Sequence, residues 1–164
     1  MKSKTMNNVK GIVYAAIVAA IYVVLTEICA LLGLSSGVIQ VRLSEALNVL
    51  VCFTPTAIPG LYIGCLIANL VTGAVVWDVL FGSLATLIGA IGAYVLRKHR
   101  IAALMCPVAS NAVIVPLLLR YAYSLTGGLW FFVVTVAIGE LISSVLLGYF
   151  LGKLLDKYKK VIFK

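Results

Sequence analysis

Gln40, Arg42, Glu45 and Asn48 fall within nine residues, QVRLSEALN, of a chain that is only 11% charged and 63% hydrophobic. Their types suit recognition rather than catalysis. Carboxylates accept hydrogen bonds from amidine-like N–H groups and attract cations, while Asn and Gln offer a donor and an acceptor together. Asn69, Asp78, Glu140 and Glu27 extend the candidate set. A planar polar heterocycle, with or without a cationic group, suits it. Tyr62, Trp77, Tyr121 and Trp130 are candidate stacking partners, and they fit an ordinary interfacial aromatic belt equally well. Arg42 and Glu45 also have a plain structural reading. They would form an i,i+3 ion pair, with Ser44 capping the helix, worth under ~1 kcal/mol when exposed. That reading does not explain why Glu45 and Asn48 share a face of so short a helix.

Membrane helices must hold these residues. Soluble domains carry roughly 25% charged residues, and apolar runs of about 18 or more read as membrane spans. Residues 11–33, 56–76, 79–96, 101–123 and 128–152 are such runs, and 43–54 is a shorter sixth. The expectation is an all-α integral membrane protein, a six-transmembrane-helix bundle, with residues 1–164 as a single membrane domain. The first run is longer than a secretory h-region of about 7–15 residues and contains Glu27, so it reads as a retained span.

The short segment rises only ~16 Å as an α-helix, about half a bilayer. It either crosses or re-enters on the same side, and charge placement decides. If it crosses with the N-terminus inside, Lys and Arg divide 11 inside to 2 outside, only Arg42 and Arg120 being out. If it re-enters, the split is 4 to 9. The positive-inside rule selects the crossing, with both termini and the RKHR loop (97–100) cytoplasmic. The 34–43 loop and Asp78 then face out, and Glu27 lies ~9 Å from the outer end of the first helix. Asn69 falls in the outer half of its span, with Asn111 and Glu140 near mid-membrane. Charges within spans are costly and default to a functional role. Short or proline-interrupted spans mark transporter binding sites, because irregular backbone is tolerated where it lines a cavity.

Other classes fall away. The net charge of +8 sits at the N-terminus, in RKHR and in the tail KLLDKYKKVIFK, which is membrane topology rather than a nucleic-acid stripe. Cys29, Cys52, Cys65 and Cys106 lack metal-binding spacing and read as small buried hydrophobes, so no metal or cofactor is expected. There is no HExxH, no GxSxG and no carboxylate–histidine cluster, so no enzyme is expected. Gly148-xxx-Gly152-Lys153 has the wrong spacing for a phosphate loop and reads as a helix contact, which leaves any ATP hydrolysis to another chain. Small-residue stripes recur at Gly60/Gly64/Ala68 and Ala85/Gly89/Ala93, as expected for packing inside the bundle. A doubled stripe on the first helix, Gly11, Ala15 and Ala19 with Ala16 and Ala20, suits a partner subunit instead.

From Gln40 to Ala85 the chain reads QVRLSEALNVL, FTPTAIPGLYIGCLIANL and, after Asp78, LFGSLATL. This stretch resembles the QueT family, the substrate-binding (S) components of energy-coupling factor (ECF) transporters assigned to queuosine precursors. The length, six spans and first-helix alanines extend the similarity over the whole chain. The resemblance implies a multi-pass protein of a bacterial plasma membrane that captures a small molecule at the outer face. It would assemble with a transmembrane coupling protein, through Ala15 and Ala19, and with two cytoplasmic ATPases. The implied ligand is a 7-deazaguanine base: 7-aminomethyl-7-deazaguanine, 7-cyano-7-deazaguanine or queuine. Glu45 would then take the guanine edge with Asn69 in support. Arg42 and Gln40 would form the lid, and Glu140 or Asp78 would receive a cationic arm. Competing readings are an S component for thiamine or biotin, and a structural membrane protein held by its small-residue stripes.

Overall fold

The computed structural model describes residues 2–34 and 40–162, with side chains over 9–34 and 40–159. Residues 35–39, inside the expected 34–43 loop, lie outside that description. Among the described residues the chain is helical without strands. Helix α1 is Lys2–Leu31, followed by a short helix at Leu43–Cys52. Then come α2 (Ala57–Val71), α3 (Val76–Val95) and α4 (Arg100–Leu117), which a π-helical turn continues over Leu118–Ala122. Helix α5 (Leu129–Glu140) passes through a second π-helical stretch, Leu141–Leu147, into α6 (Gly148–Ile162). With α5 to α6 counted as one rod, these make six helical segments.

The surface is apolar where a soluble protein's is polar, and polar groups join an apolar core of Val18, Leu47, Leu50 and Leu61. Ile12, Val13, Ile17 and Val24 of α1 point outward, while Glu45, Asn48, Asn69 and Asn111 are buried. Large aliphatic side chains cover the outside and the buried polar groups are kept from it, as a bundle solvated by lipid requires. Among the described residues four helices are long and apolar enough to cross a membrane: Val9–Leu31, Val76–Val95, Arg100–Ala122 and Leu129–Lys159.

Successive helices are neighbours in space, α1 on α2, α2 on α3, α3 on α4 and α4 on α5. Small residues set the spacing. A Cβ on Gly60 would lie 2.6 Å from the Ala15 carbonyl oxygen, and one on Gly64 would lie 3.0 Å from the Cα of Ala19. A Cβ on Gly89 would meet Pro107 Cα at 2.7 Å. Both internal stripes therefore serve packing within the bundle. The Gly148-xxx-Gly152 pair is also a contact, with Gly148 against Ala46 and Gly152 against Val49.

The wrapped helices enclose the short segment, which touches α1, α2, α3, α4, α6 and the second π-helical stretch. It is a 3-10 helix rather than the expected α-helix. Ten residues then rise ~20 Å instead of ~15 Å. Ser44 through Val51 are all buried, so the protein rather than lipid surrounds its backbone. It starts near Cys29 and Ser143 and ends where the Phe53 ring lies under the Arg100 guanidinium.

Span boundaries shift with local chemistry. α2 stops at Val71, five residues before the expected end of 56–76. There Gly73 adopts φ 73° and the Ala74 N–H bonds back to the Asn69 carbonyl, a glycine-terminated cap. Extended Val75 then starts α3 early, which puts Asp78 in its first turn. At the opposite end of the bundle, Arg100 pairs with Asp156 through two contacts at 2.8 and 2.9 Å, joining the RKHR loop to the C-terminal helix.

Candidate functional site

In a 3-10 helix, residues i and i+3 eclipse, which stacks Glu45 and Asn48 on one face, with Arg42 in extended backbone just ahead of Leu43. Glu45 is held from both sides. The Tyr22 hydroxyl donates to its Oε1, and Asn48 Nδ2 donates to its Oε2 at 2.8 Å. Asn48 also donates to the Glu45 carbonyl at 3.0 Å. Arg42 and Glu45 form no ion pair; among the described residues the one ion pair is Arg100–Asp156. Nor does Ser44 cap the helix, since its hydroxyl instead accepts from Thr26 at 2.8 Å. The capped ion-pair reading of this segment therefore does not hold, because burial orients both side chains into the bundle.

The segment Gln40–Arg42 crosses the C-terminal rod where α5 gives way to the π-helical stretch. At Gly139 an added Cβ would lie 2.0 Å from the Gln40 carbonyl oxygen. The Arg42 N–H donates to Ser143 Oγ at 3.1 Å and the Leu43 N–H to Cys29 Sγ at 3.2 Å. These anchors fix Gln40 and Arg42 between two spaces. An inner cavity of about 20 Å³ is lined by Glu45, Glu140, Asn111, Thr86 and Gly82, with Gln40 and Arg42 as one wall. An outer chamber of about 330 Å³ shares that wall and adds Asn69, Asp78, Thr72, Thr26 and Tyr123. Pockets that take small organic ligands start at roughly 300 Å³. The outer chamber reaches that size; the inner one holds a water-sized group.

Each space has its own carboxylate cluster. In the chamber, the Tyr123 hydroxyl donates to Asp78 Oδ2 at 2.8 Å and Asn69 Nδ2 donates to the Asp78 carbonyl at 3.3 Å. Gly82 makes the room: a Cβ there would sit 2.4 Å from Asp78 Oδ1. In the inner cavity, Asn111 Nδ2 donates to Glu140 Oε1 at 2.7 Å. Such a set can hold a polar, hydrogen-bonding molecule. It has no nucleophile paired with a base.

A profile of the QueT transporter family matches residues 12–157. The chain belongs to the QueT transporter family. One similar protein is the queuosine precursor transporter QueT of Lactococcus lactis subsp. cremoris (strain MG1363), 45% identical over 87 residues. That match covers 53% of this chain and 48% of the relative, so the chain matches about half of the relative's length. No solved structure matches significantly. QueT is a family of transporters rather than enzymes, and the apolar helices make this chain a multi-pass membrane protein.

Within this chain, the sequence candidates separate into groups. Gln40 and Arg42 line both spaces, Glu45 and Glu140 the inner one, Asn69 and Asp78 the outer one. Asn48 lines neither and acts on Glu45. Glu27 also lines neither, and its Oε1 is buried without a partner among the described residues. The stacking candidates need correction. Trp77, Tyr121 and Trp130 are exposed on the outside, and Trp77 stacks on Phe81 at 6.0 Å. Tyr62 lines neither space. Sequence reasoning assigned no role to Tyr22, Tyr123 or Thr86. Tyr22 carried a signal, since it lies one helical turn before Thr26, two polar side chains on one stripe of an otherwise apolar helix.

Proposed function

We propose that this chain is the substrate-binding component of an ECF-type importer in a bacterial plasma membrane, and that it captures a 7-deazaguanine queuosine precursor at the outer face. The observation that carries the reading is the chamber of about 330 Å³ at the end of the bundle away from the Arg100–Asp156 pair, where Gln40, Arg42, Asn69 and Asp78 converge beside an apolar wall of Val115, Leu118 and Leu119. Its inventory matches a guanine-like edge. A carboxylate accepts the N1–H and 2-amino donors, and an amide or guanidinium donates to O6. Asp78 is the carboxylate in the chamber, with Asn69 beside it and Gln40 and Arg42 as cover. Family membership and the name of the L. lactis relative support the ligand class.

Both termini and the RKHR loop are cytoplasmic in this reading, with residues 1–164 acting as one membrane domain. A transmembrane coupling protein and two cytoplasmic ATPases supply the energy, because this chain carries no phosphate loop. The groove lined by Gly11, Ala15, Ala16, Ala19, Thr56 and Ile63 lies near the cytoplasmic end and is the coupling protein's docking face.

The test is mass spectrometry of ligand retained through purification, followed by titration of the emptied protein. A 7-deazaguanine base should be retained and should rebind, with guanine as the control sharing its edge. Retention of thiamine or biotin, with no binding of any deazaguanine, would sink the assignment.

A further inference from the structure

Glu140 leaves acceptor capacity unused in the polar core. Its Oε1 takes Asn111, but Oε2 has no partner among the described residues, although Glu140 is only 8% exposed. An unsatisfied buried carboxylate oxygen is costly and calls for an explanation. Charge points the same way. Glu45 and Glu140 line the inner cavity with Arg42, two carboxylates to one guanidinium, and Asp78 adds a third carboxylate in the outer chamber. Among the described residues no other cationic side chain lines either space. One positive charge from a ligand would balance the inner set, where low polarity makes an uncompensated charge expensive. Size is the third observation. The inner cavity, about 20 Å³, admits one water-sized group. An ammonium group has that size and carries three donors and no acceptor.

We propose that the inner cavity is the subsite for a primary ammonium on a short arm, held between Glu140 Oε2 and Glu45 while the ring stays in the outer chamber. The proposal rests on the deazaguanine reading above and selects within it. A 7-aminomethyl base carries the required group. A 7-cyano base ends in an acceptor nitrogen, which the free Glu140 oxygen repels. Queuine bears a ring on its amine nitrogen, too large for a cavity of one water.

Titration of the purified protein with 7-aminomethyl-, 7-cyano- and 7-methyl-7-deazaguanine tests this. The aminomethyl base should bind at least ~10-fold tighter than either of the others, the scale of one charge-assisted contact. Glu140→Gln should abolish most of that preference while changing affinity for the cyano and methyl bases less than about threefold. The methyl base tests the subsite on the unaltered protein, so the result stands even if the variant folds poorly. Equal binding of all three bases would overturn the subsite and leave the deazaguanine reading intact. Equal loss for all three in a folded Glu140→Gln protein would overturn it too, as would a preference for the cyano base. If none of the three binds the folded protein, the deazaguanine reading falls and the subsite with it.

Discussion

Glu45 and Asp78 are both buried carboxylates, yet their surroundings assign them different work. Both Glu45 oxygens are engaged, by Tyr22 and Asn48, and the space it lines is too small for a bicyclic ring. Asp78 lines the larger chamber, and among the described residues only Tyr123 bonds its Oδ2. In Glu45→Gln, Asn48 can still donate to the remaining oxygen and keep its bond to the residue 45 carbonyl. The Tyr22 hydroxyl, which accepts as well as donates, can turn to take the new amide N–H. That variant should lose less than ~1 kcal/mol, whereas Glu45→Ala strands two buried groups at about 1–3 kcal/mol each. Thermal unfolding in detergent separates the two, and equal destabilisation would show that the charge, not the hydrogen bonding, holds the core. Affinity should sort the residues the opposite way. With 7-cyano-7-deazaguanine, which lacks a charged arm, Asp78→Asn should weaken binding ~10- to 150-fold, the equivalent of ~1.5–3 kcal/mol. Glu45→Gln should change it less than about threefold. A larger effect at Glu45 would make that residue the reader of the guanine edge.

The short helix shows what an element's pattern reveals and what it hides. Its length and the shared face of Glu45 and Asn48 were legible in the sequence, because three-residue spacing shares a face in either helix type. Its 3-10 winding was not, since it depends on burial by neighbours far away in the chain. The division of the polar residues between two spaces was also hidden. It arises where Gln40–Arg42 crosses Gly139, a contact between positions about a hundred residues apart. The internal glycine stripes were readable because lipid-embedded packing rests on local small residues, whereas Tyr123 reaches Asp78 only through the tertiary fold. Gly139 thus becomes the test of the crossing. Gly139→Ala puts a methyl 2.0 Å from the Gln40 carbonyl, so the backbone must move. Overpacking of this kind costs about 1–3 kcal/mol, and here it should displace the wall between the two spaces and weaken ligand binding at least ~10-fold. Gly128→Ala is the control, as nothing lies within 4 Å of its added Cβ. Equal binding by both variants would remove the crossing from the site.

Across the whole molecule, charge separates the two ends. Arg97, Lys98 and Arg100 lie at the end where Arg100 meets Asp156, and Asp78 and Tyr123 lie at the other. If the positive-inside rule orients the bundle, a cysteine at exposed Thr126 should label from outside intact cells and one at exposed Lys98 should not. The reverse pattern would place the chamber in the cytoplasm. In the proposed function the same polarity separates capture from coupling, because the α1 groove runs over Gly11–Ala19 while Thr26 and Ala30 of that helix line the chamber. Ala19 is 7% exposed and packs against Gly64, so a larger side chain there should loosen α1 from α2 and lower the stability of the isolated protein. Ala16 is exposed and Ala15 half-buried, and both line the groove with Thr56 and Ile63. Leu at positions 15 and 16 fills space that a partner helix needs for close backbone approach. The Ala15→Leu/Ala16→Leu protein should bind ligand within about threefold of the native protein and retain its thermal stability. Its co-purification with the coupling protein and ATPases should fall sharply, with uptake falling in proportion. Normal assembly of that double variant would make the groove a lipid-facing surface and move the docking face elsewhere on the cytoplasmic half.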